Sequence, residues 1–305
     1  MRVLLSGGTG LVGRYIAEEL LSAGYKVAIG GRTPPDPALF SRPVSFVPLS
    51  LDPAEDQRHA FDDAYLFVHA AFSHLPGKYR GGEGDDPEAF RRLNLDGTVR
   101  LFEAAKKAGI RRCIFLSSRA VYGDQAGNEE VTEATKPAAN TLYGAVKRDA
   151  EHALFSLSTP GFATASIRAT GVYGDLRPNK WDTLFSDYLN GRPVASRAGT
   201  EVHGRDLGRA IRLLLETEAG RIDGEAFNLS DIATDTHEIL QHLQAATHCP
   251  HPLPAPAPDA PTGIMSTAKI RSLGWQGGGK ALLQMTVETL AKSATLHQRQ
   301  ISASA

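Results

Sequence analysis

Cysteine is nearly absent from this chain, which has two in 305 residues. Cys113 lies in a predicted strand and Cys249 in a Pro-rich stretch, and such a pair provides neither a disulfide framework nor a metal site. The sequence also lacks the charged and apolar regions of a signal peptide, because a strand pattern starts at its first residues. We therefore expect a protein of the reducing cytoplasm.

An excess of charge of one sign and long hydrophobic runs are also missing. The 33 basic and 34 acidic residues leave a formal net charge of −1, which gives no reason to expect a nucleic acid or an anionic membrane as a partner. No apolar run approaches the roughly 20 residues that cross a bilayer. With 42% hydrophobic residues, a chain of this length can bury a large core.

Strand-like and helix-like patterns alternate along the chain. Short β-rich runs occupy residues 3–5, 27–29, 45–47, 65–70, 112–117, 163–167 and 226–229, and helical patterns separate most of them. This alternation predicts an α/β fold in which helices cover both faces of a doubly wound parallel sheet. The Gly-rich segment 75–87 has no periodicity and is predicted to be a mobile loop.

A glycine-rich turn follows the first strand and precedes a helix pattern that Gly24 closes. Glycine permits both the sharp turn and a close approach of the backbone to a ligand. The free N–H groups at the start of the helix then face a pyrophosphate. We therefore predict a dinucleotide site at Gly7, Thr9, Gly10, Leu11, Val12 and Gly13.

A tyrosine and a lysine stand four residues apart in a second motif, Tyr143-Gly144-Ala145-Val146-Lys147. On a helix this spacing puts both side chains on one face, where the ammonium favours the ionised phenol. A free tyrosine, with a pKa of about 10, is a poor base at neutral pH, so the lysine and a positive nicotinamide ring must lower that pKa. The alternative is a tyrosine and a lysine on a solvated helix. After the glycine motif, we favour a proton-transfer pair.

The two motifs together resemble the extended short-chain dehydrogenase/reductases of the NAD(P)-dependent epimerase/dehydratase type. The resemblance runs from Gly7 to about Leu290 and includes the segments 94–98, 115–118, 121–123, 202–206, 227–229 and 269–275. It implies a Rossmann-type fold with a dinucleotide-binding domain at residues 1–170, to which the strand near 226–229 returns. Residues 171–305 would form mostly a small C-terminal substrate-binding lobe.

The resemblance also implies a Ser-Tyr-Lys site. In the family pattern the catalytic hydroxyl lies four residues before the tyrosine of Val-Tyr-Gly, which is Tyr122 here and points to Ser118. Ser117 is the weaker candidate. A hydroxyl at the carboxyl end of a parallel strand stands where such folds bind ligands. The implied cofactor contacts come from Tyr143 and Lys147, the latter on the nicotinamide ribose, and from Leu51, Ala70 and Asn94.

The end of the second strand bears on the choice between NAD and NADP. NAD-preferring members have an acidic residue there, which accepts the 2′-hydroxyl of the adenosine ribose. This chain has Gly31 at that position and Arg32 after it, and a planar guanidinium suits a 2′-phosphate. We therefore predict NADP, with NAD as the less favoured cofactor. The alternative is that Arg32 is only a solvated loop residue, and Arg14 could serve either cofactor.

The substrate side of the site has weaker signals. The family's sugar-nucleotide dehydratases have an Asp-Glu pair after the catalytic hydroxyl, where this chain has Arg119 and Ala120, so we do not expect a dehydratase. Arg119 could bind an anionic group of the substrate or form an ordinary ion pair. His74 and Trp181 are predicted to lie on loops that cross the pocket. The expected substrate is sugar-like or another small hydroxyl or carbonyl compound.

Two classes of function remain open. One is an NAD(P)-dependent oxidoreductase or epimerase that works by hydride transfer, and the other is a catalytically silent NADP-binding regulatory protein. Because the serine, tyrosine and lysine are all present, the sequence favours the enzyme. The resemblance also implies a homodimer formed by helices near residues 87–109 and 142–157. The first of these carries more apolar positions than one sheet-facing stripe requires.

Overall fold

The β-rich segments of the sequence become the strands of one parallel sheet. The computed structural model describes residues 1–75, 82–124, 130–258 and 263–303, with side chains as far as Lys292. With all strands numbered along the chain, those of the sheet are β1 (Arg2–Ser6), β2 (Lys26–Gly31), β3 (Ser45–Pro48), β4 (Leu66–His69), β5 (Arg112–Ser118), β6 (Ala163–Ala169) and β9 (Glu225–Leu229). Their spatial order is β3-β2-β1-β4-β5-β6-β9, and each neighbouring pair is parallel. The predicted α/β fold is confirmed.

Helices lie between many of the strands, and three more follow the last strand. They are α1 (Leu11–Ser22), α2 (Pro87–Arg91), α3 (Gly97–Lys107), α4 (Leu142–Ser156), α5 (Asp182–Leu189), α6 (Gly204–Glu216), α7 (Thr236–Thr247), α8 (Ala268–Arg271) and α9 (Gly279–Ala303). A π-helical turn, Arg92–Asp96, joins α2 to α3, and a 3₁₀ turn, Arg119–Tyr122, follows β5. Further 3₁₀ turns occupy Pro37–Leu39, Arg58–Phe61 and Ala219–Arg221.

The two faces of the sheet carry separate hydrophobic layers, because successive strand residues point to opposite sides. Leu4 and Phe67 pack with apolar residues of α3 and α4 on one face. Leu5 and Val68, their neighbours in sequence, pack with apolar residues of α1 and α6 on the other. All four side chains are at most 1% exposed. The continuous apolar runs of the central strands therefore reflect burial on both faces.

The strand order reverses between β1 and β4. The chain runs outward through β2 and β3 on one side of β1, then returns to place β4 on its other side. In open sheets of this kind ligands bind beyond the carboxyl ends of the strands at such a reversal. Gly7 follows β1 and Ala70 follows β4, so the glycine turn lies at this position.

A second, three-stranded sheet lies in the C-terminal part of the chain. β7 (Gly171–Tyr173) pairs in parallel with β8 (Ala198–His203), which pairs antiparallel with β10 (Ile232–Asp235). Its hydrophobic cluster includes Tyr173, Trp181, Phe185, Leu240 and Leu283. β9 pairs with β6 and so belongs to the first sheet. That this C-terminal unit binds the substrate remains a prediction.

Within the described residues, no helix combines the length and apolar character needed to cross a membrane. The same part of the chain contains no group of three or more His, Cys, Asp or Glu side chains that could hold a metal ion. The loop predicted at 75–87 includes residues 76–81, which lie outside the described residues.

Candidate functional site

The glycine turn has no room for a side chain at two positions. Gly7 has a φ of +72°, and a Cβ on it would lie 2.6 Å from the backbone nitrogen of Ala71. A Cβ on Gly13 would lie 2.0 Å from the carbonyl oxygen of Gly7. Only glycine allows this backbone path, so the motif reflects the geometry of the turn.

The first helix begins at this turn with N–H groups that no side chain caps. Gly10 is the N-cap of α1, and no acidic residue occurs in the first helical turn. Thr9 and Gly10 are exposed, and Leu11 and Val12 are half-buried. Free N–H groups at a helix start bind anions such as phosphate. This end of α1 therefore fits the pyrophosphate of a dinucleotide.

His69, which the sequence analysis missed, connects β1, β4 and α3 next to the glycine turn. Its Nδ1 lies 2.7 Å from Ser6 Oγ, which also accepts a hydrogen bond from the Ala71 N–H at 3.3 Å, and its Nε2 lies 3.0 Å from Thr98 Oγ1. Full burial, together with the nearby charge of Lys147, lowers the pKa of His69 to about 3. A neutral imidazole therefore links β1, β4 and α3. A histidine at the end of a buried strand is the signal that could have revealed it.

Asn94 fixes the loop that follows β4. It lies in the π-helical turn and is 1% exposed. Its Oδ1 accepts a hydrogen bond from the Ser73 N–H at 2.6 Å, and its Nδ2 donates to the carbonyl oxygens of Ser73 at 2.8 Å and Phe90 at 3.0 Å. Both ends of the amide therefore bond the protein. The contact with a cofactor that the sequence predicts for Asn94 remains a prediction.

Leu51 and Ala70 lie at the carboxyl edge of the sheet, where the sequence predicts cofactor contacts. A Cβ on Gly97 would lie 1.9 Å from the Leu51 carbonyl oxygen, so the start of α3 packs directly against the segment after β3. The Ala70 N–H donates to the Ser6 carbonyl oxygen at 3.2 Å. Both Leu51 and Ala70 are half-buried.

The end of β2 has space for a side chain where the sequence has glycine. A Cβ on Gly31 would have only the Thr33 carbonyl oxygen within 4 Å, at 3.8 Å. Arg32 is exposed, and no hydrogen bond or ion pair engages its side chain within the described residues. Arg14, in contrast, donates from Nη1 to the Arg177 carbonyl oxygen at 2.8 Å. The exposed side chain of Arg32 can therefore meet a ligand beside β2, and a contact from Arg14 to the cofactor remains a prediction.

The first turn of α4 lies directly against the 3₁₀ turn after β5. Thr141 caps α4, because its Oγ1 accepts a hydrogen bond from the Gly144 N–H at 3.1 Å. A Cβ on Gly144 would lie 2.3 Å from the Ala120 carbonyl oxygen, so glycine permits this close approach. Tyr143 is half-buried on this turn of α4, and the contact brings it beside the carboxyl end of β5, which Ser118 terminates.

Lys147 is almost completely buried, with 3% of its surface exposed. Its Nζ donates to the Leu116 carbonyl oxygen at 2.8 Å and lies 4.4 Å and 4.6 Å from the ring centres of Phe72 and Phe115. The same atom lies 6.0 Å from the ring centre of Tyr143. Burial lowers the pKa of Lys147 to about 7, although the charge of Glu151 acts in the opposite direction. Lys147 therefore changes its protonation near neutral pH.

Ser118 begins the 3₁₀ turn and is the more accessible of the two adjacent serines. Its Oγ accepts a hydrogen bond from the Ala120 N–H at 3.2 Å, which leaves the hydroxyl hydrogen able to donate. Ser117 is 3% exposed, and its Oγ has no hydrogen-bond partner among the described residues. The structure therefore brings Ser118, Tyr143 and Lys147 to one edge of the sheet.

Arg119 reaches from the end of β5 into the C-terminal part of the chain, and its predicted contact with an anionic group of the substrate remains a prediction. Its Nε and Nη2 donate to the Gly263 carbonyl oxygen at 3.3 Å and 3.2 Å. The segment that Arg119 reaches also pairs with the chain before α4, because the Val131 N–H donates to the Ile264 carbonyl oxygen at 2.8 Å. Arg119 thus ties the C-terminal part of the chain to the end of β5.

His74 and Trp181, both predicted to contact substrate, have different surroundings. The His74 ring stacks on Phe72 with 6.5 Å between ring centres, and Phe72 packs edge-to-face on Tyr143 at 5.1 Å. His74 therefore lies near the Tyr143 side of the site. Trp181 is 6% exposed and stacks on Tyr173 at 5.3 Å. This places it in the core of the C-terminal unit rather than on an open loop.

Several known proteins resemble this chain. The profile of the NAD dependent epimerase/dehydratase family matches residues 3–230. Human sterol-4-alpha-carboxylate 3-dehydrogenase, decarboxylating, is 28% identical over 198 residues, which cover 63% of this chain and half (50%) of that enzyme. UDP-glucose 4-epimerase of Corynebacterium glutamicum is 27% identical over 315 residues, which cover 90% of each protein.

A solved structure of an epimerase is also similar to this chain. The UDP-glucose 4-epimerase of Thermus thermophilus, in complex with NAD, is 25% identical to this chain and has a TM-score of 0.76 over 95% of this chain and 99% of that one. The family profile covers most of the chain, including the glycine turn and the Tyr143/Lys147 pair. The chain therefore belongs to the NAD-dependent epimerase/dehydratase family.

Proposed function

We propose that this protein is an NAD(P)-dependent oxidoreductase or epimerase that moves hydride to or from a carbon bearing a hydroxyl or carbonyl group. The observation that carries the proposal is the Tyr143/Lys147 pair on α4, packed against the turn that Ser118 begins. The glycine turn lies at the same edge of the sheet. A dinucleotide site beside a proton-transfer pair is the combination that redox chemistry at an alcohol or ketone requires.

The residues of the glycine turn fit a dinucleotide. The backbone at Gly7 and Gly13 excludes side chains, and Gly10 leaves the N–H groups of α1 uncapped. These groups would hold the pyrophosphate, Lys147 and Tyr143 the nicotinamide ribose, and Leu51 and Ala70 the adenosine half. The bound cofactor would supply the hydride acceptor or donor.

Tyr143 is proposed to carry the proton. When the substrate alcohol is oxidised, the phenolate oxygen accepts the proton of its hydroxyl, and in the reverse direction the phenol returns it. Ser118 donates a hydrogen bond to the same substrate oxygen and so orients it toward Tyr143. The charge of protonated Lys147, whose Nζ lies 6.0 Å from the Tyr143 ring centre, favours the phenolate.

NADP is proposed as the preferred cofactor. Gly31 offers no acceptor for a 2′-hydroxyl, and the exposed Arg32 offers a guanidinium for a 2′-phosphate. The epimerase of T. thermophilus contains NAD, so NAD is the alternative that a binding measurement must compare. The rest of the dinucleotide site suits either cofactor.

The proposed substrate is sugar-like or another small compound with a hydroxyl or carbonyl group. The relatives named above include a sterol dehydrogenase and a nucleotide-sugar epimerase. These two reactions share the oxidation step and differ in whether the keto compound leaves the site or receives the hydride back. Arg119 and His74, near the turn and the Tyr143 side of the site, are the side chains proposed to contact substrate. Trp181 would support them from the core of the C-terminal unit.

A substrate screen tests the proposal. The purified protein is mixed with NADP or NAD and with sugars, sugar acids, nucleotide sugars and sterol alcohols, while the nicotinamide absorbance is followed. NMR of the sugar products detects an epimerase, because epimerisation leaves the cofactor unchanged overall. Turnover of any compound supports the enzyme. Tight cofactor binding without turnover of any compound would instead support the catalytically silent regulatory protein.

A further inference from the structure

A buried carboxylate lies on α4 behind the Tyr143/Lys147 pair. Glu151 follows Lys147 by four residues, so the three side chains occupy one face of the helix. The Glu151 side chain is 0% exposed. An ionised carboxylate in such a position is costly unless other groups bond it.

The neighbouring strand β6 supplies those groups. The Arg168 Nε lies 3.1 Å from both Glu151 carboxylate oxygens, and its Nη2 lies 2.7 Å from Oε2. Ser166 Oγ donates to Glu151 Oε1 at 2.9 Å. Arg168 is itself only 6% exposed. A buried pair of this kind adds little net stability compared with apolar side chains of similar size, so stability alone does not account for it.

The Glu151–Arg168 pair is also hydrogen-bonded to the 3₁₀ turn that follows Ser118. Arg168 Nη1 donates to the hydroxyl of Tyr122 at 2.8 Å, and this hydroxyl donates to Asn228 Oδ1 at 2.8 Å. Tyr122 is the last residue of the 3₁₀ turn and is 1% exposed. Arg168 therefore bonds α4 through Glu151 and the Ser118 turn through Tyr122, and it fixes the two elements relative to each other.

Among the described residues, few ionisable groups lie around Lys147. Tyr143 and Glu151 face it from α4, and neutral His69 faces it from β4. β5 and the loop after β4 contribute the Leu116 carbonyl oxygen and two aromatic rings. Neighbouring side chains are engaged elsewhere: Lys106 of α3 with the Leu157 carbonyl oxygen, Arg92 of the π turn with Asp52, and Arg119 with Gly263. Glu151, with Arg168 behind it, is thus the main source of charge on this side.

Building on the proposed function, we propose that the Glu151–Arg168 pair is a positioning element of the site, which fixes the Ser118 turn against α4 and sets the electrostatic potential at Tyr143 and Lys147. Glu151 without Arg168 would hold the proton on Lys147. Arg168 without Glu151 would drive that proton off and would also favour the phenolate of Tyr143. In the intact pair, the charge of Arg168 offsets part of the charge of Glu151 at Tyr143 and Lys147.

The test measures the titration of Lys147 by NMR of its Cε and Nζ in protein without cofactor or substrate. The signal is assigned by its loss in Lys147→Arg. Glu151→Gln keeps the shape of the side chain and should move the titration midpoint down by roughly one pH unit. The double variant Glu151→Gln/Arg168→Met removes both charges and should return the midpoint close to that of the wild type. Asp149→Asn, a half-buried acid on the same helix, is the matched control and should leave it unchanged.

The proposal would be overturned if the wild type and Glu151→Gln had equal titration midpoints. It would also be overturned if the midpoint of the double variant stayed shifted, because removing two charges that act only on the structure would not bring the Lys147 midpoint back to the wild-type value. Because the titration needs no turnover, it remains informative if no substrate is ever found. Conversely, if the wild type is active but Glu151→Gln leaves the Lys147 midpoint unshifted, only the role of the Glu151–Arg168 pair is refuted and the proposed function stands.

Arg168→Lys provides a second variant if Glu151→Gln does not fold. It keeps the charge but loses the planar guanidinium that bonds Glu151 through Nε and Nη2 and Tyr122 through Nη1 at the same time. The expected result is an unchanged Lys147 midpoint with a lower kcat and a nearly unchanged KM. A shifted midpoint with full kcat would contradict the positioning role.

Discussion

Lys147 Nζ lies 6.0 Å from the ring centre of Tyr143, and both side chains project from one face of α4. Lys147 is buried, whereas Tyr143 is half-buried. The charge of the ammonium therefore acts on the phenol mainly through protein, where it is screened less than in water. This arrangement supports the proposal that Tyr143 serves as a base at neutral pH.

Lys147→Met should reduce both turnover and cofactor affinity. The substitution keeps an apolar chain under Phe72 but removes the charge that favours the phenolate and the donor proposed to hold the ribose. Turnover and the cofactor Kd are measured together, with Lys107→Met, an exposed lysine of α3, as the control. A variant that loses turnover alone would show that Lys147 does not hold the cofactor.

Gly31 and Arg32, at the end of β2, should determine whether the protein prefers NADP or NAD. One charge-assisted contact with a 2′-phosphate contributes about 1.5–3 kcal/mol, or on the order of ten- to a hundredfold in affinity. Arg32→Ala should erase most of the preference for NADP, and added salt should weaken it, because Arg32 is exposed. Gly31→Asp should reverse the preference, since the site has room for the side chain.

Titrations of NADP and NAD into each protein check these cofactor predictions. Arg100→Ala, which removes an arginine on the outer side of α3, is the control and should change neither affinity. If the wild type binds NAD as tightly as NADP, or more tightly, the interpretation of Gly31 and Arg32 is wrong.

His69 should make the stability of the protein depend on pH. Its pKa in the folded protein is about 3, against an ordinary value of 6.5, so between these values the unfolded chain binds a proton that the folded chain excludes. The contribution of His69 to the free energy of unfolding is therefore complete above about pH 6.5. It is lost as the pH falls toward 3, at roughly 1.4 kcal/mol for each pH unit.

Urea unfolding at pH 7 and pH 5 measures this effect by comparing the wild type with His69→Gln. The difference in unfolding free energy between the two proteins should shrink at the lower pH. His59→Gln changes a histidine whose side chain is 88% exposed and serves as the control. A difference that does not change with pH would mean that His69 is not held neutral.

The protein should form a homodimer through the outer surface of α3 and α4. Phe90, Leu101 and Phe102 are buried within the subunit, whereas Leu93 and Val99 are only half-buried and would pack against a second copy. Sedimentation at micromolar concentration should show a dimer. Val99→Glu should dissociate it, whereas Lys107→Glu should not. A wild type that sediments only as a monomer would refute this interface.

The sequence predicts best what depends on local patterns. Each strand of the parallel sheet follows from its apolar run, and the shared face of Tyr143 and Lys147 follows from their spacing. Contacts between distant segments were not predictable. The bond from Arg119 to Gly263 spans 144 positions, and the bond from His69 to Ser6 spans 63. The burial of Trp181 against Tyr173 likewise depends on packing that no local pattern encodes.

The most direct test of the account is Tyr143→Phe, assayed with any compound that the wild type turns over. The substitution removes only the oxygen that carries the proton, so cofactor affinity should remain within a few-fold of the wild type while turnover falls by roughly a hundred- to ten-thousandfold. Tyr65→Phe, which alters a tyrosine that is 48% exposed, should keep full turnover. A Tyr143→Phe protein that retains most of the wild-type rate would contradict the central claim that Tyr143 transfers the proton.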